Sequence, residues 1–500
     1  MNEAYDIDLA SLLEGIVAIA AGDVRITDLT LDSRAVRPGS LFFALAGTRQ
    51  HGLAYLDEAV RRGVRAILWE TAPGIEPPVA REDVLMLAVP KLSAMVGRIA
   101  DRFFGRPSAH LRVVGITGTN GKTTCAWLVA TALERLNRSA EYLGTLGAGV
   151  PGSLRGGSHT TPDAVQVHRE CAAMRARGTR FVAMEVSSHA LAQNRVSGLR
   201  FAVAAFTNLT RDHLDYHGSM QEYGEAKAQL FLREATGRRV INVGDAFGLV
   251  LSQRLADREG LTVVWAGAKP AVSGSMRAVY ATAVHSEAEG LRVEFDGAGG
   301  RGTFRSPLIG RFNAENLLLA LGILLALDVP MAEAVTALSR CTAPPGRMQC
   351  VDGGGNRPLA VIDYAHTPDA LAKALAAVRE HCRGRIWCVF GCGGDRDAGK
   401  RPLMGAVADE LADRIVLTDD NPRSEAPAAI TAAIAAAVRR HEVRIIHDRR
   451  EAIRSALSSA SAGDLVLIAG KGHEDYQIYG ERRVPFSDQL EVQRHFGMAA

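Results

Sequence analysis

Eight residues near the first quarter of the chain could grip a nucleotide phosphate: Thr117, Gly118, Thr119, Asn120, Gly121, Lys122, Thr123 and Thr124. The glycines let backbone N–H groups curl around an anion, Lys122 supplies a point charge, and the Thr123 hydroxyl can hold Mg²⁺. An apolar strand, Leu111 to Ile116, leads into the loop, and a helix-like run from Cys125 to Leu136 leaves it. The N-terminus of that helix adds partial positive charge where the phosphate would sit. The common P-loop spacing would need glycine at position 116, where this chain has isoleucine. The loop is therefore tighter than usual.

Two further segments follow apolar runs of buried-strand length: Glu185 with Ser187, Ser188 and His189, and Thr207 through Asp215 with His213. A carboxylate and an imidazole at neighbouring strand ends, beside a phosphate loop, can hold a metal between a triphosphate and a second substrate. His213 taken alone reads as a satisfied polar residue of a loop. In the last third, strands at Leu359–Asp363, Ile386–Phe390, Arg414–Thr418, Val443–Ile446 and Leu465–Ala469 alternate with helices, which predicts a doubly wound parallel sheet. The strand ends carry Asp363 to His366, Gly393 to Asp397, Asp419 to Arg423 and Gly470 to Asp475. A helix cap or polar turn would explain any one of these clusters. Four on one rim point to a ligand site.

The rest of the sequence bounds the class. Five hundred residues imply about three domains, and 47% hydrophobic with 23% charged residues describes an ordinary globular protein. A net charge of +3 with dispersed arginines argues against a nucleic-acid surface. The seven cysteines include no C-x-x-C pair, which favours reduced thiols and a cytoplasmic setting over disulfides or zinc. The acidic start lacks a signal-peptide profile, and the most apolar stretch, Leu317 to Leu327, is too short to span a bilayer.

Several of these motifs, in order, resemble the Mur ligases, ATP-dependent enzymes that build the peptide stem of peptidoglycan. The residues that carry the resemblance are Gly118–Thr124, Glu185 before Ser187-Ser188-His189, Thr207–Asp215, Gly310-Arg311-Phe312-Asn313 with Asn316, Pro345-Gly346-Arg347 and Asp363–Pro368. Within the family, Asp420-Asn421-Pro422-Arg423 and Gly470–Glu474 resemble the type that adds meso-2,6-diaminopimelate to UDP-N-acetylmuramoyl-L-alanyl-D-glutamate. The resemblance implies an α/β fold of three domains. These are a nucleotide-sugar domain over 1–90, a central P-loop ATPase-like domain over 91–341, and a Rossmann-like domain over 342–500 that binds the amino acid.

It also implies roles. ATP would lie on Gly118, Thr119, Asn120, Gly121, Lys122, Thr123 and Thr124, with Asn313, Asn316, Arg347, Asp363 and His366. Mg²⁺ would take Thr123, Glu185, His213 and Lys227, the last as a carbamate, although lysine on a helix is ordinarily solvated. Lys122, Glu185, His213, Lys227, Arg347 and Asp363 would carry catalysis. The UDP-muramoyl dipeptide would meet Leu31, Ser33, Thr48, Arg49, Gln50, His159, Thr160, Thr161, Ser187, Gln193 and Arg195. Diaminopimelate would meet Arg396, Asp420, Asn421, Pro422, Arg423, Gly470 and Glu474. The expectation is a cytoplasmic monomer with no nucleic-acid partner and no membrane insertion, whose last domain closes on the central one during turnover. Competing readings are the lysine-adding ligase, folylpolyglutamate synthase and, from another class, a P-loop motor or switch.

Overall fold

The computed structural model describes residues 5–19, 23–47, 50–157, 159–268, 270, 277–287 and 289–498. Two compact units result, one running to Thr262 and the other holding Val263 and the chain from Arg277 onward.

In the first unit, four short parallel strands, Asp28–Thr30, Ser40–Ala44, Ala66–Thr71 and Leu85–Pro90, form one sheet. The first of these, three residues long, is too short to stand out in the sequence. A second sheet places the glycine-loop strand, Arg112–Thr117, between Phe181–Glu185 and Phe201–Phe206, all parallel. Ala140–Gly144 and Thr236–Asn242 extend it on either side. The central strands are apolar except at their ends, because helices cover both faces of such a sheet. The strand Phe201–Phe206 stops short of Thr207. From Thr207 the chain turns to bond the glycine loop instead of a neighbouring strand.

The second unit has an antiparallel sheet of Arg277–Glu287, Gly290–Gly297 and Gly302–Ser306, followed by the apolar helix Phe312–Ala326. Its larger sheet runs in the order Gln349–Asp352, Leu359–Asp363, Leu465–Ala469, Ile386–Phe390, Arg414–Leu417, Val443–Ile445. All pairs are parallel except the first, an antiparallel edge strand that the alternation of strand and helix did not signal. The four polar clusters thus leave adjacent parallel strands on one rim. A hairpin, Tyr476–Tyr479 with Arg482–Pro485, lies beside it.

One buried ion pair braces this sheet. Arg449 and Asp488 are fully buried and joined by two bonds of 2.7 and 2.8 Å, and Arg449 also donates to the Ala469 carbonyl at 3.0 Å. Removing one member strands the other charge in an apolar interior. Arg449→Met is expected to cost about 3–5 kcal/mol in urea unfolding, and adding Asp488→Leu should recover most of it.

Candidate active site

The first unit builds a phosphate site from its strand register. Glu185 pairs with Ile116 and Phe206 with Thr117, so the flanking strands deliver Glu185 and Thr207 to the two sides of the loop. Ile116, where the wider loop has glycine, is a fully buried strand residue, and the turn starts at Gly118 instead. A Cβ on Gly118 would lie 1.8 Å from the Thr207 hydroxyl oxygen, so only glycine lets the loop approach the next strand end. Gly121, at φ 83°, caps the helix Lys122–Arg135. Asn208 fastens the loop, its carbonyl accepting from Thr119 N–H at 2.8 Å and its side chain from Asn120 N–H at 3.0 Å. Lys122 Nζ arches back to the carbonyls of Gly118 and Thr119 at 2.9 and 2.8 Å, which holds its charge over the loop.

Thr123 donates its hydroxyl hydrogen to Glu185 at 3.0 Å. Glu185 is 1% exposed and also accepts from the Tyr142 hydroxyl and from Thr145 N–H at 2.9 Å. The Tyr142 and Thr145 contacts lie on a strand and turn that carry no motif, so nothing local in the sequence marks them. The Thr123 hydroxyl and the Glu185 carboxylate are hard oxygen donors at a helix N-terminus, a set that suits Mg²⁺, which keeps several waters and takes few protein ligands. Among the described residues no three His, Cys, Asp or Glu cluster as a ready-made metal cage.

Lys227, on the helix Met220–Leu232, is buried rather than solvated, at 1% exposed. Its Nζ donates to the Gly118 carbonyl at 2.8 Å and lies 4.3 Å from the centre of the Tyr223 ring. Burial first, and then the nearby Lys122 charge, hold this amine well below its usual pKa range, against the pull of Asp212. His213 is exposed, at φ 52°, with its ring 4.8 Å from that of His189 and 6.1 Å from that of Tyr223. The Tyr223 hydroxyl shares a hydrogen bond with Thr119 at 3.1 Å, which ties this aromatic group to the loop.

Several residues expected to hold the muramoyl peptide gather behind Glu185. Thr161 donates to the Glu185 carbonyl and accepts from Ser187 N–H, and Arg195 donates to the Thr161 carbonyl at 2.9 Å. Gln193 accepts from Arg195 and donates to the Tyr216 hydroxyl. Ser187 caps the short helix Ser188–Ala192. Thr160 bonds the Thr145 hydroxyl at 3.0 Å, and His159 beside it is exposed. In the smaller sheet, Asp32 caps the turn Ser33–Ala35, while Ser33 donates to Glu58 at 2.7 Å. Leu31 is half-buried, and Gln50 accepts from the Tyr55 hydroxyl. Thr48 and Arg49 lie outside the described residues.

The second unit holds the remaining expected residues. Asn313 donates to the Ile309 carbonyl and accepts from Asn316, so both buried amides engage the chain itself. The Arg347 guanidinium lies 4.6 Å from the centre of the Tyr364 ring. Burial pushes the Asp363 carboxyl above its usual pKa range, opposed by Arg347 and by the N–H groups of Met348 and Ala365. His366 is exposed and bonds the Tyr364 carbonyl. A Cβ on Gly346 would lie 2.1 Å from the His473 nitrogen, so the Pro345–Arg347 turn packs directly on the Gly470–Glu474 segment.

Around that segment the expected amino-acid residues do meet. Asn421 donates to Glu474 at 3.0 Å, and Gly470 approaches Asp420 closely. Arg423, at φ 52°, bonds the hairpin through its backbone and the Gly394 carbonyl through its side chain at 2.8 Å. Pro422 is buried, and Arg396 is exposed near Gly393. Sequence reasoning passed over Lys471. It is 0% exposed and donates to Glu474 at 2.9 Å, to Asn421 at 3.3 Å and to Asp420 at 3.4 Å. Its signal was a lysine inside a glycine-flanked motif.

The Mur ligase middle domain matches residues 116–324, the Mur ligase glutamate ligase domain 346–472, and the Mur ligase family catalytic domain 25–104. A protein of Ectopseudomonas mendocina named UDP-N-acetylmuramoyl-L-alanyl-D-glutamate–2,6-diaminopimelate ligase is 48% identical over 96% of this chain and 97% of its own length. One of the same name from Pseudomonas aeruginosa is 47% identical over 95% and 96%. A solved structure, also of that name, superposes with a TM-score of 0.72 at 33% identity, covering 98% of this chain and 99% of the other. With likeness at this level running the length of the chain, and with a phosphate loop of the short spacing, the chain belongs to the Mur ligase family.

Proposed function

We propose that this chain is the ATP-dependent ligase that joins meso-2,6-diaminopimelate to UDP-N-acetylmuramoyl-L-alanyl-D-glutamate in peptidoglycan synthesis. The observation that carries the reading is the 48% identity, almost end to end, to a relative bearing that name. Residues 1–90 would hold the nucleotide sugar, 91–341 ATP, and 342–500 the amino acid. The enzyme would act as a cytoplasmic monomer. Among the described residues no helix is long and apolar enough to cross a membrane.

The first chemical step transfers the ATP γ-phosphoryl group to the side-chain carboxylate of the D-glutamyl residue, releasing ADP and leaving an acyl phosphate. An anionic carboxylate must approach an anionic triphosphate, so the site concentrates positive charge. Lys122, the loop N–H groups and the helix N-terminus supply it. Bound Mg²⁺ would neutralise charge on the phosphates, and the Thr123 hydroxyl and Glu185 would hold it. In the second step the diamino acid's amine attacks the acyl carbon and the tetrahedral intermediate expels phosphate. Phosphate release from ATP, measured with the muramoyl dipeptide and with diaminopimelate or L-lysine in turn, tests the reading. Release that depends on the dipeptide and diaminopimelate is expected, and release with neither would overturn it.

Lys227 fits a carbamate. Its buried, depressed amine is available neutral, and a neutral amine adds CO₂ with loss of one proton to give a carbamate anion. Lys227→Ala is expected to lower turnover about 10²-fold or more, and a short carboxylic acid in the assay should restore part of it by standing in for the missing anion. Mass analysis and turnover at graded bicarbonate check this. Full activity of the variant would remove Lys227 from the reaction.

A further inference from the structure

The Lys471 ammonium sits among Asp420, Asn421 and Glu474 with no exposed surface, and 5.3 Å from the centre of the Tyr476 ring. Burying an ammonium is costly unless opposite charge and acceptors surround it, and here two carboxylates and an amide do so. The bonds fall unevenly on Glu474. Lys471 and Asn421 both donate to Oε2, at 2.9 and 3.0 Å, while no described residue donates to Oε1. Asn421 is itself held, because its Oδ1 accepts from Ile478 N–H of the hairpin at 3.0 Å as well as from Lys471. Glu474 therefore has one oxygen clamped and the other available.

We propose that Lys471 is a positioning residue of the amino-acid pocket: it anchors Glu474 through Oε2 so that Oε1 receives the ammonium at the far end of the diamino acid. Lys471 touches no substrate and acts through Glu474. The inference rests on the diaminopimelate reading above. It also accounts for a cation in a pocket that must attract an ammonium. Without it, Asp420 and Glu474 would be left as uncompensated carboxylates, and Glu474 would lose a bond that orients it.

The test is a double-mutant cycle on the full-length enzyme, with diaminopimelate KM, ATP KM and kcat read separately. Lys471→Met is expected to raise the diaminopimelate KM about 10²-fold while the ATP KM stays within about twofold. In a Glu474→Gln background the same Lys471→Met change should cost less than about fivefold, since the residue it acts through is already neutral. Additive effects, or equal rises in both KM values, would overturn the role. If Lys471→Met does not fold, Lys471→Arg takes its place in the cycle, with about a tenfold rise in diaminopimelate KM expected and an unchanged KM overturning the role. A wild-type enzyme that does not turn over diaminopimelate overturns the functional reading and this role together. An additive cycle in an enzyme that does turn it over overturns the role of Lys471 alone.

Discussion

Lys122→Ala is expected to lower ligation by about 10³-fold or more while leaving the melting temperature within a few degrees of wild type. The lysine stands at the first turn of its helix, half-exposed, with its ammonium bonded to two carbonyls of its own loop. Those bonds are local, so losing them costs the fold little. At the phosphoryl group the loss is larger. Charge grows on the leaving ADP oxygen as the acyl phosphate forms, and the ammonium is the loop's own full positive charge. Pre-oriented groups of this kind act mainly on the transition state. The fall should therefore appear in kcat more than in the KM for the muramoyl dipeptide. Single-turnover phosphate release with the purified variant separates the two. Near wild-type turnover would exclude Lys122 from the mechanism.

The second large effect concerns the choice of amino acid. Meso-diaminopimelate differs from L-lysine by a carboxylate beside its distal amine, so a pocket that selects it must present a cation. Arg423 suits this task. A left-handed backbone, at φ 52°, is uncommon and costly outside glycine, and here it is held by bonds from Arg423 N–H to the Ile478 carbonyl and from Gly480 N–H to the Arg423 carbonyl. One guanidinium nitrogen is fixed on Gly394. The side chain is thus aimed before any ligand arrives. A planar guanidinium can grip a carboxylate with two bonds, which lysine cannot reproduce. With L-lysine the guanidinium would have no counter-charge, and sites built around a polar partner reject analogues lacking it by roughly 10⁴–10⁵. The expected preference for diaminopimelate in kcat/KM is of that order. Arg423→Lys should raise its KM about 10²-fold with less effect on the KM for ATP. Equal efficiency with L-lysine would defeat the assignment and favour the lysine-adding relative.

The sequence by itself determined the local chemistry: the short phosphate loop, the strand that feeds it, the alternation behind the last sheet, and the polar motifs at the strand ends. These are legible because each depends on neighbours within a few residues. Glycines mark a backbone that must curl, and apolar runs mark strands buried on both faces. Tertiary structure alone decided the partnerships. Strand order brings Glu185, which follows Thr123 by about sixty residues, within 3.0 Å of its hydroxyl. It also makes Lys227 a buried amine aimed at Gly118, although a lysine in Tyr-Gly-Glu-Ala-Lys-Ala reads as a solvated one. Asn313 and Asn316 are joined by a hydrogen bond, because a helix sets residues three apart on one face. Lys471 was visible as a letter and not as a role. Whether a lysine is a surface charge or a buried ammonium depends here on Asp420 and Asn421, about fifty positions away, which the crossover connections of a parallel sheet bring to its side.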